Sequence, residues 1–162
     1  MLYKTHVTVT YALALPLLMS TDSLFIGNVV ALGIGSVFPD IDHPRSYIGR
    51  RLQGVSHIVG KIFGHRGLAH SIVGIFFFLY LSRFILFHLQ LPIEWGDWFI
   101  LGYISHMVED SFSKTGVAWL QPIYNKRIQF GFKRIFYTTG KFTETVIFLI
   151  SCGGLVYQLF YF

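Results

Sequence analysis

Residues 68–90 read LAHSIVGIFFFLYLSRFILFHLQ, a run whose one formal charge is Arg83. About 20 consecutive apolar residues suffice to cross a bilayer, so this run is long enough to span. The rest of the chain has the same character. It is 53% hydrophobic and 13% charged, with 17 Phe and 9 Tyr and a mean hydropathy of +0.56. A soluble domain is about a quarter charged, so the composition places the chain in a membrane. Working outward, four more apolar segments can be drawn, at 2–20, 24–38, 95–108 and 142–162. The expected fold is therefore all-α, a polytopic membrane bundle of four to five helices forming one domain over residues 1–162. The segments at 24–38 and 95–108 are short and are expected to tilt, span partly or pack against the other helices. Pro16 is a tolerable kink, because neighbouring helices can satisfy the freed carbonyl.

The linkers set the orientation. Those after the first and third segments are tight, whereas 40–67 and 111–141 are long and emerge on one side together with the N-terminus. That side holds every Lys and Arg except Arg83, while Asp22, Glu94 and Asp97 fall on the other. By the positive-inside rule the basic side is cytoplasmic, which gives a multi-pass protein of a bacterial inner membrane with its N-terminus inside. Topology and anionic lipid are sufficient reason for the basic charge, and no nucleic-acid partner is expected. The N-terminal lysine and apolar run could pass for a signal peptide, but more membrane segments follow and the run is read as a retained first helix. The single cysteine, Cys152, excludes a disulfide framework and a thiolate metal site.

Two local patterns stand out in the long linkers. Leu52, Val55, Val59 and Ile62 recur at helical spacing, as in an amphipathic helix lying at the membrane interface. Ile128, Phe130 and Phe132 alternate with Gln129 and Gly131, which suits a short extended segment.

The histidines and acids are not scattered. His6 lies near the start of the first segment, Asp40 and Asp42 (in PDIDHP, 39–44) close the second, His65 and His70 (in HRGLAHS, 65–71) lead into the third, and His106 and Asp110 finish the fourth. All fall at the cytoplasmic level. His106 and Asp110 are four apart and share a helical face. Asp40 and Asp42 flank Ile41 and can point the same way in an extended turn. Ser71 opens a helix whose amides favour an anion, and Arg66 stands beside His65, placed for phosphate. Each feature alone has a bland reading: an interfacial histidine, a turn with paired acids, a surface i,i+4 pair. Together they point to metal, because ionisable groups in membrane segments are costly and usually functional. His43 is a candidate to support a ligand, and His57 faces water or headgroups. His88 lies at the opposite end of its helix. Glu109 is turned some 100° from Asp110, and Glu144 reads as a helix cap.

These motifs, with GYISHMVEDSFSKTG at 102–116 and then Pro122, resemble the YdjM-like family, described as LexA-regulated, membrane-bound, metal-dependent hydrolases. The resemblance runs from His6 to Pro122 and marks His6, Asp40, Asp42, His65, His70, His106 and Asp110. The family pattern usually carries a threonine four residues after the last aspartate; here Lys114 takes that place and Thr115 follows. The regulatory part of the description concerns DNA upstream, and no residue carries it. A more distant likeness, to zinc-dependent phospholipase C and P1-type nucleases, rests on the early histidine and the His-x-x-x-Asp helix, and it raises phosphoester hydrolysis above other hydrolyses.

The resulting expectation is one or two divalent ions on those seven residues. Zinc suits the mixed imidazole and carboxylate donors best, with manganese or iron also compatible. Asp40 or Asp42 would act as general base, and Arg66, helped by Lys114, would hold the phosphate of a lipid or lipid-linked phosphoester reached from the cytoplasmic leaflet. The rival expectation is a non-enzymatic metal-binding protein, acting as a sensor or engaging a partner or lipid headgroups.

Overall fold

The computed structural model describes residues 1–44, 46–51, 53, 54, 56, 57 and 67–161. Among these the chain is all-α, without strands. The helices are α1 (Tyr3–Ser20), α2 (Ile26–Val37), α3 (Tyr47–Arg51), α4 (Ile72–His88), α5 (Glu94–Ser111) and α6 (Phe142–Tyr161), with 3-10 turns at Phe38–Asp42 and Leu68–His70. The apolar positions of the expected interfacial helix, Leu52, Val55, Val59 and Ile62, lie outside the described residues. The expected extended segment is reduced to isolated bridges, Val117 with Ile128 and Ser113 with Tyr137. Extension cannot continue past Gly131, because Phe132 and Lys133 take left-handed backbone angles, φ 51° and 61°.

Helix α5 is the centre of the molecule. Gly35 of α2 stands against it so closely that a Cβ there would lie 1.9 Å from the Phe99 carbonyl oxygen, and a Cβ on Gly102 would lie 2.2 Å from that of Leu32. Small residues at facing positions let two backbones touch, the usual device of helix pairs in membranes. On another side of α5 pack Ala69 and Phe78, with Ile100, Tyr103 and Met107 as its own contribution. Ala14 and Leu18 of α1 meet Leu32 of α2 in a second cluster. Helix α4 starts cleanly because Ser71 caps it, its Oγ accepting from the Gly74 amide. At the far end Arg83 and Asp97 form a half-exposed ion pair between α4 and α5.

Helix α6 lies along α1, with Gln158 Nε2 donating to the Ala12 carbonyl at 2.9 Å. It has 20 residues, and Glu144 is its one buried residue. Among the described residues it is the helix long and apolar enough to cross a membrane by itself, and α4 is an apolar helix of 17 residues. The expectation of four to five spanning helices is thus met in its helical class only. The physical reason is visible in the others. Helix α2, at 12 residues, is about 18 Å long, and α5 carries Glu94, Asp97, Glu109 and Asp110.

Candidate metal centre

The 3-10 turn after α2 presents Asp40 and Asp42. The one before α4 presents His70, and Tyr103 Oη holds that turn by donating to the Ala69 carbonyl. The second turn of α1 supplies His6, and the last turns of α5 supply His106 and Asp110. These side chains meet at one end of the bundle. His6, His70, His106, Asp42 and Asp110 are 0–2% exposed, whereas the Asp40 side chain is 20% exposed.

The three imidazoles share one arrangement. His106 Nδ1 lies 2.8 Å from the Ser36 carbonyl oxygen. A carbonyl only accepts, so Nδ1 carries the proton and Nε2 offers a lone pair. His6 Nδ1 is 2.6 Å from Glu109 Oε2, and His70 Nδ1 is 3.1 Å from Asp42 Oδ2. In all three rings Nε2 is buried without a hydrogen-bond partner. The His6 and His106 rings stack with centroids 3.9 Å apart, and the His70 and His106 centroids are 5.5 Å apart. His6 Nε2 faces Asp110 Oδ1 at 3.5 Å, and His106 Nε2 faces Asp40 and Asp110 carboxylate oxygens at 3.9 Å.

One ligand atom each from His6, His106 and Asp110 falls within 4.8 Å of the others, and so does one each from Asp40, His70 and His106. Lone pairs and carboxylate oxygens facing one another in a buried site repel unless a cation lies between them. An imidazole whose second nitrogen is fixed by a carboxylate or carbonyl is the usual preparation for metal. The donor set therefore fits a divalent ion. Burial acts to raise the Asp40 carboxyl, the imidazoles of His106, His6 and His70 act to lower it, and the net result lies below its ordinary value. Asp40 is thus ionised at neutral pH and ready to ligate.

The structure distributes the sequence candidates unequally. It brings His6, Asp40, His70, His106 and Asp110 together. Asp42 pairs through Oδ2 with His70 Nδ1 and belongs to neither grouping. His65 and Arg66 lie outside the described residues. Lys114 and His57 are exposed. His88 bonds the Phe84 carbonyl at the far end of α4. Glu144 is a cap, accepting from the amides of Gly140 and Leu2 and so joining the starts of α6 and α1.

Sequence reading missed two residues. Glu109 is 5% exposed and is held by the hydroxyls of Thr10 and Ser105 at 3.0 and 2.9 Å. Its 100° turn from Asp110 carries it away from that residue's direction and onto α1, where His6 spans the two. The signal was a second carboxylate inside an otherwise apolar helix turn. Tyr137 donates to Asp110 Oδ1 at 2.8 Å, and the Met1 amine lies 3.1 Å from the same oxygen. Nothing local marks Tyr137, which arrives from a loop 27 residues away.

The model of the family described as YdjM inner membrane protein matches residues 1–161. Inner membrane protein YdjM of Escherichia coli strain K12 is 37% identical over 92 residues, 53% of this chain and 44% of that protein. The protein of the same name from Shigella flexneri matches to the same extent. The chain thus aligns with less than half the length of these two relatives. Bacillus subtilis YvsG is 29% identical over 132 residues, 80% of this chain and 74% of that one. No solved structure matches.

Proposed function

The chain belongs to the YdjM family of inner membrane proteins, and from that premise we propose that it is a multi-pass, metal-dependent hydrolase acting at the cytoplasmic membrane face. The observation that carries this reading is the clustering of three buried histidines, each with an Nε2 that makes no hydrogen bond, with the Asp40 and Asp110 carboxylates. His6, His70, His106, Asp40 and Asp110 would hold the ion. His106 has one free lone pair, since Nδ1 is committed to Ser36, so it serves a single ion. Three nitrogens and two carboxylates favour zinc, with manganese or iron as alternatives. A divalent ion there would supply Lewis acidity, polarising a phosphoryl oxygen and activating water.

The chain's own residues have distinct parts in this reading. Glu109 and Asp42 orient His6 and His70. Asp40, ionised and at the more open edge, accepts a proton from attacking water when it is not bound to the ion. Arg66, from its place beside the ligands in sequence, holds the phosphate. Access from the inner leaflet points to a lipid or lipid-linked phosphoester. Metal analysis of the detergent-purified protein, beside the His106→Ala/Asp110→Ala double variant, is the first test. Bound zinc lost in the variant supports the site; the absence of metal in both, after reconstitution with zinc or manganese, sinks it. Turnover of phosphoester lipids by the loaded protein, lost in Asp40→Asn, then tests hydrolysis.

The near-complete burial of His6, His70, His106 and Asp110 favours a second reading, a closed structural or sensing site, since catalytic sites keep an open position. Tightly held metal with no turnover of any phosphoester would select it.

A further inference from the structure

We propose that the loop between α5 and α6 is a built membrane-surface anchor, which seats Ile123, Phe132 and Ile135 among the acyl chains of an anionic leaflet. Residues 111–143 contain no Asp or Glu, and they carry Lys114, Lys126, Arg127, Lys133, Arg134 and Lys141. Between those cations stand the loop's most exposed apolar side chains, Ile123 at 93%, Phe132 at 88% and Ile135 at 74%. Large apolar tips flanked by cations match a phospholipid surface, where the tips enter the acyl boundary and the cations meet phosphate.

These tips are held in place. Phe132 and Lys133 both adopt left-handed backbone, a costly conformation for residues with a Cβ that persists only where the surroundings impose it. The Gln129 side chain imposes it, with Oε1 accepting from the Lys133 amide at 2.6 Å and Nε2 donating to the Ile135 carbonyl at 2.9 Å. Gly131 completes the turn, because a Cβ there would lie 1.7 Å from the Ile135 carbonyl oxygen. The inner side of the loop is anchored to the bundle. Phe130 stacks on Trp119, Trp119 Nε1 donates to Ser111 Oγ at 2.8 Å, and Tyr137 donates to Asp110. A strained, cross-braced turn that points a phenylalanine outward among cations is explained by a bilayer. The loop's position agrees, since it leaves α5 and returns into α6, the helix fit to span.

The inference goes beyond the metal reading and does not depend on it; it rests on the chain being embedded in a membrane. The test uses the full chain in a Cys152→Ser background, reconstituted in vesicles of phosphatidylcholine with or without phosphatidylglycerol. An environment-sensitive fluorophore is placed at Phe132→Cys, at Ile123→Cys and, as a reference in the middle of α6, at Ile150→Cys. The expected result is quenching of the 132 and 123 probes by lipids spin-labelled high on the acyl chain. That quenching should be at least about threefold weaker without phosphatidylglycerol, or when Lys126, Arg127, Lys133 and Arg134 are all changed to Gln. Loop probes quenched only by aqueous iodide, beside a lipid-quenched 150 probe, would overturn the anchor and leave the membrane reading intact. Equal quenching in both lipids would overturn its anionic preference. A 150 probe that lipid does not reach would overturn the anchor and the membrane reading together.

Discussion

His6 presents both ring nitrogens to carboxylates on adjacent positions of α5, Nδ1 to Glu109 at 2.6 Å and Nε2 to Asp110 at 3.5 Å. In the proposed centre the first contact would orient the ring and the second would face the ion, giving the two carboxylates different tasks. Losing an orienting partner of a ligating histidine typically weakens metal binding about 10- to 100-fold. Glu109→Ala is expected to do so, read by chelator competition, with helical content unchanged. Glu109→Gln should recover most of the loss, because the amide oxygen still accepts from Nδ1. Wild-type affinity in the alanine variant would remove Glu109 from the centre. His106→Ala should go further and abolish binding, since His106 belongs to both ligand groupings. The pH dependence follows from the same donors. Imidazoles ligate only when neutral, so protons compete with the metal for them. Asp40, held below the ordinary carboxylate value, stays ionised at mildly acidic pH. Bound metal should therefore be retained at pH 8 and released on acidification, as protons displace it from the imidazoles before they reach Asp40. At this scale the sequence was informative wherever a residue type was costly in its setting, as with His6 or His106 in apolar helices. It was silent on the Ser36 carbonyl, because any residue supplies one, and on which carboxylate binds and which orients.

Gly35 and Gly102 make the contact between α2 and α5 possible, and that contact delivers Asp40 and Asp42 to the end of α5 where His106 waits. A Cβ at either glycine would meet backbone, which cannot rotate aside as a side chain can. Gly35→Ala and Gly102→Ala are each expected to destabilise the protein by about 1–3 kcal/mol, the usual range for overpacking. They should also weaken metal binding, read together by denaturant unfolding in detergent and by metal retention. Gly153 and Gly154 of α6 provide the contrast, with nothing within 4 Å of an added Cβ. Alanine there should be neutral or gain up to about 1 kcal/mol from helix propensity. If all four variants behaved alike, close approach would not be what holds α2 on α5. The apolar runs marked the main helices well, since length and hydropathy are local properties. The alternation at Ile128, Phe130 and Phe132 misled because the same spacing serves a braced turn. Gly131 within the run was the clue, and its meaning depends on the Ile135 carbonyl that it faces.

At the scale of the molecule, the clustered His and Asp side chains lie at the end where α5 runs into the basic loop before α6, and the Arg83–Asp97 pair lies at the other. This polarity was legible because charge asymmetry survives without any knowledge of packing, whereas the depth of each helix in the bilayer depends on neighbours that local hydropathy does not register. It leads to a prediction of sidedness. Lys and Arg flanking membrane segments stay on the cytoplasmic side during insertion, so Thr139, beside the start of α6, should be inside, and Gln90, in the turn between α4 and α5, should be outside. Both are exposed, so a cysteine at either position is open to reagent. With Cys152→Ser as background, a membrane-impermeant maleimide added to intact cells should label Gln90→Cys and spare Thr139→Cys until the membrane is permeabilised. The reverse pattern would put the His/Asp centre on the outer face and exclude an inner-leaflet substrate. Labelling of both positions in intact cells would mean that α4 and α6 do not cross together, and would leave α5 and its ligands without a fixed depth. The expected pattern fixes which leaflet the centre faces, and it does so independently of whether metal is bound.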